Sequence, residues 1–194
     1  MRLVVAISGA SGAVYGIRLL AELRRLKVET HLVVSAWGRT TVQVETGHAY
    51  QDVARLADAC YENDDLFAPC ASGSALFDAM VVCPCSMHTA AGIRLGLADS
   101  LILRAADVTI KEGRRLVLLV RESPLSSIHL ENLLALSRLG ARIMVPVPAF
   151  YHRPQSIADM VDNTVARLLD QLGLFLEEGQ DGTRVPRWGD AQPR

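Results

Sequence analysis

Aromatic side chains are scarce, with Phe, Tyr and Trp at 5% of 194 residues although half of the chain is hydrophobic. The core must therefore be aliphatic, which favours helices packed on a parallel sheet over an aromatic-rich sandwich. No apolar run is long enough to cross a bilayer. The chain enters an apparent strand by Leu3 with no charged-then-apolar leader, so a cytoplasmic protein is expected. Charge is balanced, 20 Lys and Arg against 21 Asp and Glu, for a net of −1 and a pI near 6.5. That balance gives no general electrostatic reason to bind nucleic acid or a membrane surface. Cysteine is confined to Cys60, Cys70, Cys83 and Cys85, mid-chain rather than framing it, as reduced thiols would be. Cys83, Cys85 and His88 lack a second ligand pair, so no metal site is expected. Internal repeats and low-complexity tracts are absent as well.

What is present is an alternation of apolar runs with helical patterns. Strands are expected at 2–7, 29–34, 79–83, 116–120 and 141–145, and helices at 14–26, 37–45, 51–60, 90–95, 101–108, 128–139 and 156–172. Gly140 and Gly173 follow two of these helices as stops. The reading is a three-layer α/β/α sandwich on a doubly wound, mainly parallel sheet of five or six strands. The length suits one sizeable domain, assigned to 1–174, with a tail rich in Gly, Pro and charge over 175–194, where Trp188 is the large apolar anchor.

Strand, tight turn and helix at the start form the first unit of such a fold. Gly9, Ala10, Ser11, Gly12 and Ala13 let backbone N–H groups approach a ligand at a helix N-terminus, where the dipole favours an anion. Gly9, Gly12 and Gly16 do not make the dinucleotide fingerprint, and the turn is not a hydrolase elbow. The second strand ends at Ser35 rather than at an acid, which counts against NAD. That serine suits a phosphate or flavin ribityl chain, or an ordinary N-cap. Ser86 and Thr89 similarly read as helix caps able to face a ligand. Glu45 faces either the site or solvent, 62–65 reads as a solvent-facing acidic loop, and 69–74 as either a mobile segment near the site or a plain connection.

The basic stretch 104–122, RAADVTIKEGRRLVLLVRE, runs into a buried strand that ends in Arg121 and Glu122. Ligands of open α/β sheets sit outside the carboxyl ends of strands, which puts this pair at the rim of a site. Lys111, Arg114 and Arg115 add positive charge suited to a phosphate. A solvated helix end with a surface ion pair accounts for the same residues on spacing alone. Pro146 and Pro148 hold an extended loop that presents Tyr151 as a hydroxyl donor.

Taken together, GASGA at 9–13, ASGS at 71–74, PCSMHT at 84–89, RAADVTIKEGR at 104–114, LVLLVRESPLSSIHLENLLALSRLGA at 116–141 and PAFYHRP at 148–154 closely resemble the UbiX-like flavin prenyltransferases. SAWGRTT at 35–41 and RVPRWGD at 184–190 look most like the branch that accompanies phenolic-acid decarboxylases. The resemblance implies transfer of a dimethylallyl group from dimethylallyl phosphate to N5 and C6 of reduced FMN, without a metal. It also implies a homododecamer and a separate UbiD-type aromatic acid decarboxylase that receives the prenylated FMN. Carried over by motif, Gly9, Ala10, Ser11, Ser35, Ser86, Met87, His88, Thr89 and Arg121 would contact FMN. Lys111, Arg121, Tyr151 and Arg167 would hold the donor, some across a subunit boundary. Glu122 would be the acid/base, assisted by Glu45 and Ser11.

Three departures stand out: Ala36 where many relatives have Lys, His88 where Lys or Gly is usual, and Leu66 and Phe67 where some carry Trp. Two other readings compete. One is a cysteine-type oxidative decarboxylase on the same fold, whose P-A-S-A-N-T motif is replaced here by PCSMHT. The other is a non-catalytic FMN-binding subunit of a decarboxylase complex, which would need no second phosphate site.

Overall fold

The computed structural model describes residues 1–178 and Arg187. The expectation for Trp188, like most of the tail, lies outside the described residues. Six strands, β1 (Arg2–Ile7), β2 (Glu29–Val34), β3 (Ala59–Tyr61), β4 (Ala79–Cys85), β5 (Arg115–Val120) and β6 (Arg142–Met144), form one sheet in the order β3-β2-β1-β4-β5-β6. Every neighbouring pair is parallel. This is the doubly wound order, with its switch point between β1 and β4.

The helices are α1 (Ala13–Arg25), α2 (Ala36–Thr46), α3 (Tyr50–Ala54), α4 (Met87–Leu95), α5 (Leu101–Lys111), α6 (Ser127–Arg138) and α7 (Ile157–Leu172). Alternation along β1 sorts its side chains into two cores. Leu3, Val5 and Ile7 meet Leu19, Leu20 and Leu23 of α1 and Val165, Leu168 and Leu169 of α7. Val4 and Ala6 meet Ile93 of α4, Leu101 and Ile102 of α5, and Leu133 and Leu136 of α6. Each fully buried Leu contributes about 1.5–3 kcal/mol. Because both faces are covered, the strands are continuous apolar runs and not polar alternations.

One expectation fails outright. The segment 51–60 is not a single helix: α3 stops at Ala54, and Ala59–Tyr61 pairs with His31–Val33 as the edge strand. Its apolar positions Val53, Leu56 and Ala57 fit a helical spacing, but the exposed edge of β2 offers backbone partners that a longer helix would leave unpaired. Elsewhere the differences are at ends. Helix α4 begins at Met87 and α5 runs on to Lys111.

The strand β1 is tied to β4 beyond the ladder. Pro84 interrupts the β4–β5 register between Val82 and Cys85, and on the β1 side of β4 Ser8 carries the contact past it. The Ser8 N–H and hydroxyl both donate to Pro84 O, at 3.2 and 2.8 Å, and the Ser8 hydroxyl accepts the Ser86 N–H at 2.8 Å. Close approach is also needed at Gly16, where a Cβ would stand 2.4 Å from Cys83 O and 2.9 Å from Ile7 Cδ1.

Candidate active site

Three helix N-termini gather at the carboxyl edge of the sheet, and each is capped by a serine. Ser35 Oγ accepts Gly38 N–H of α2, Ser86 Oγ accepts Thr89 N–H of α4, and Ser100 Oγ accepts Leu103 N–H of α5. Between them lies a cavity of about 670 Å³ lined by Gly9, Ser35, Ala36, Trp37, Asn63, Ser86, His88, Thr89, Asp99, Ser100, Ile102 and Leu103. A small-molecule cofactor occupies roughly 300–1,000 Å³ of such a cleft. One side-chain cap serves one of the orphan donors in a first turn, so α2 and α4 retain N–H groups and a positive dipole end for an anion.

At α5 those donors are already taken. Asn63 O accepts Leu101 N–H at 2.6 Å and Asn63 Oδ1 accepts Ile102 N–H at 3.1 Å. The loop 62–65 is therefore not simply solvent-facing, because the bare end of α5 recruits Asn63. A phosphate fits the α2 and α4 ends better than the α5 end.

Gly9 is required by proximity, since a Cβ there would fall 2.4 Å from Trp37 Cβ. Trp37 is 76% exposed while lining the cavity, and so offers an aromatic face beside it. Neither Trp37 nor the lining residues Asn63, Asp99 and Ser100 were singled out from sequence. A Trp two residues after a strand-end serine was the available signal for the first.

Beside the cavity three expected residues converge. Glu45 Oε2 accepts the N–H groups of Gly12 at 2.8 Å and Ala13 at 3.0 Å, closing the N-terminus of α1. Arg121 Nε donates to Ser11 O at 3.2 Å across 110 residues of sequence. Burial pushes the Glu45 carboxyl up, but hydrogen bonds from the Ser11 hydroxyl and the Gly12 and Ala13 amides, with the Arg121 charge, hold it below the ordinary value overall. Glu45 is thus an acceptor at neutral pH. Glu122 follows Arg121 at the surface and accepts the Ser123 N–H at 3.0 Å. Tyr151 stands edge-on to His152 at 5.3 Å.

The remaining expected residues do not line the cavity in the single chain. Ala10 follows Gly9 in the turn, and Met87 is buried in the first turn of α4 behind the lining His88. Lys111 ends α5 and is paired with Glu112. It sits before β5 whereas Arg121 sits after it, so a six-residue strand, about 20 Å long, separates them. Arg167 lies ten residues into α7, about 15 Å from its start. The loop 69–74 is also away from the cavity and is held there, since Arg114 donates to Gly73 O at 2.6 Å and to Ala75 O at 2.9 Å.

Burial pushes the thiols of Cys83 and Cys85 up, the latter to about 12, so neither supplies thiolate. Among the described residues no group of three or more His, Cys, Asp or Glu side chains is placed to hold a metal ion.

The family model described as Flavoprotein matches residues 1–169. A probable UbiX-like flavin prenyltransferase of Streptomyces sp. is 55% identical over 175 residues, covering 90% of this chain and 88% of that one. The chain belongs to the UbiX-like flavin prenyltransferases. Two solved structures of the family carry the likeness into three dimensions. A dodecameric FMN-dependent Ubix-like decarboxylase from Escherichia coli O157:H7 aligns with TM-score 0.90 and 53% identity, over 93% of this chain and 99% of that one. AnUbiX (PadA1), in complex with FMN and dimethylallyl pyrophosphate, aligns with TM-score 0.93 and 48% identity over 98% of both chains.

Proposed function

We propose that the protein transfers a dimethylallyl group from dimethylallyl phosphate to reduced FMN, joining it at N5 and C6, and so makes prenylated FMN. The observation that carries this is the cavity at the switch point between β1 and β4, flanked by the anion-binding ends of α2 and α4. The Ser11, Glu45 and Arg121 cluster stands beside it. Reduced FMN bound there supplies the nucleophilic N5 and C6 atoms.

The chain's own groups do the rest. Ser35, Ser86 and Thr89, with the open N–H groups around them, hold the flavin phosphate end, while Gly9, Ala10, Ser11, Met87 and His88 fix the ring position. Arg121 offers positive charge where the C–O bond of the donor breaks and charge develops on the departing phosphate. Glu122 is the acid/base, protonating the leaving phosphate or taking the proton released at C6 on ring closure. Glu45, held ionised, fixes the turn and Ser11 so that Arg121 stays aimed at the site.

Lys111, Tyr151 and Arg167 complete the donor site in a homo-oligomer, with Lys111 and Arg167 reaching the cavity of a neighbouring copy. Exposed Val44, Phe67, Leu76 and Ile157 are large apolar side chains suited to burial between copies. On this reading 1–174 is one flavoprotein domain followed by a tail. The product passes to a UbiD-type aromatic acid decarboxylase. A cytoplasmic location agrees with the four free cysteines, of which three are buried, and no helix among the described residues is long and apolar enough to cross a membrane.

The test is direct. Purified protein given reduced FMN and dimethylallyl phosphate should yield a flavin heavier by one prenyl unit in mass spectrometry. An unchanged flavin mass with both the phosphate and the pyrophosphate donor would discard the assignment. Consumption of donor without any decarboxylase present excludes a mere FMN carrier.

A further inference from the structure

Near the end of α7 one carboxylate serves two guanidinium groups. Asp170 Oδ2 accepts from Arg167 Nη1 at 2.6 Å and from Arg187 Nη1 at 2.5 Å, and Asp170 Oδ1 accepts from Arg187 Nη2 at 2.9 Å. Arg187 also donates to Leu176 O at 3.2 Å. The Asp170 side chain is 7% exposed, that of Arg187 31% and that of Arg167 54%. Arg187 therefore grips the acid as a two-pronged fork, while Arg167 touches it with one N–H and keeps its other face in solvent.

A carboxylate so poorly hydrated requires a cation beside it. Arg187 meets both carboxylate oxygens whereas Arg167 meets one, and Arg167 is the more exposed of the two. Take Arg187 away and the demand of Asp170 falls on Arg167, three residues before it on the same helical face. Arg167 and Asp170 would then form a closed ion pair, less able to engage a third group.

We propose that Arg187 is a positioning residue for Arg167: by occupying both oxygens of Asp170 it leaves the Arg167 guanidinium available to an anionic ligand. On the reading above, on which this inference rests, that ligand is the phosphate of the prenyl donor. The C-terminal segment thereby sets donor affinity through the shared acid.

Full-length protein with FMN is assayed for kcat, for KM of dimethylallyl phosphate and for FMN binding. Arg187→Ala should raise the donor KM about tenfold, a fraction of one charge-assisted contact, with kcat at saturating donor and FMN affinity unchanged. Adding Asp170→Asn to that variant should restore the donor KM, because the competing carboxylate is gone. Asp170→Asn alone breaks the same clamp and should leave the donor KM at or below that of the parent, opposite in direction to Arg187→Ala. A clamp with a merely structural role would leave the double variant as impaired as the single one, and that result overturns the inference, as does a parental KM in Arg187→Ala. Arg167→Ala separates the two levels. A raised KM there with no rescue in the double variant sinks only the role of Arg187, whereas an unchanged KM removes Arg167 from the donor site and the inference with it.

Discussion

Glu45 and Gly12 meet at the head of α1: the carboxylate of one accepts the backbone N–H of the other at 2.8 Å, and that of Ala13 at 3.0 Å. Gly12 holds φ of +101° at this point, a left-handed conformation that glycine tolerates without strain. A side chain from α2 thus caps a helix 32 residues earlier and fills the anion position at α1, leaving the ends of α2 and α4 for the ligand.

This contact should be visible in the pH dependence of stability. Because the folded-state pKa of Glu45 is depressed, its stabilisation is fully present above the unfolded value of about 4.3 and is lost as pH falls through the folded value. Glu45→Gln should cost about 1 kcal/mol at neutral pH, as a lost cap does. The gap in thermal midpoint between the two proteins should close on acidification below about pH 4. A gap of constant size from pH 7 to pH 3 would rule out the ionised cap.

Ser8 is 1% exposed and makes three hydrogen bonds between β1 and the β4–α4 connection. Ser8→Ala strips the Ser86 N–H of its acceptor, for a cost of about 1–3 kcal/mol. Chemical denaturation should report that loss. FMN titration should show weaker binding, since Ser86 begins α4 at the cavity.

A methyl group at Gly16 has nowhere to go, with Cys83 O at 2.4 Å. Gly16→Ala should cost at least the 1–3 kcal/mol typical of overpacking, because the obstacle is backbone and not a flexible side chain. Gly47→Ala is the control: nothing lies within 4 Å of its Cβ, so only the strain of φ +71° remains. Comparable denaturation midpoints for the two variants would contradict the close approach of α1 to β4.

Glu122→Gln should keep FMN bound and slow turnover by about 10²–10⁴-fold, the usual worth of a positioned acid/base. Single-turnover mass spectrometry of the flavin gives the rate. Parental turnover in this variant would remove Glu122 from proton transfer.

The positions of the buried strands were legible because each is a local apolar run, and the run Leu116–Val120 that raised attention to Arg121 lies inside the sheet between β4 and β6. The helix caps Ser35 and Ser86 were legible for the same reason, since a cap acts within three residues. Asn63 was not, because its role depends on α5 beginning 38 residues later, and β3 was not, because a three-residue edge strand draws its stability from the neighbour and not from its own pattern.

Composition and periodicity by themselves determined an aliphatic doubly wound sheet, and several short motifs jointly specified the family. Tertiary structure alone decided that Ser8 joins Ser86 across 78 residues, that Arg121 reaches Ser11 across 110, and that Lys111 stands a strand's length from both. Alternation is written into neighbouring residues by the pleat, whereas the meeting of distant polar groups follows only from how the strands are ordered.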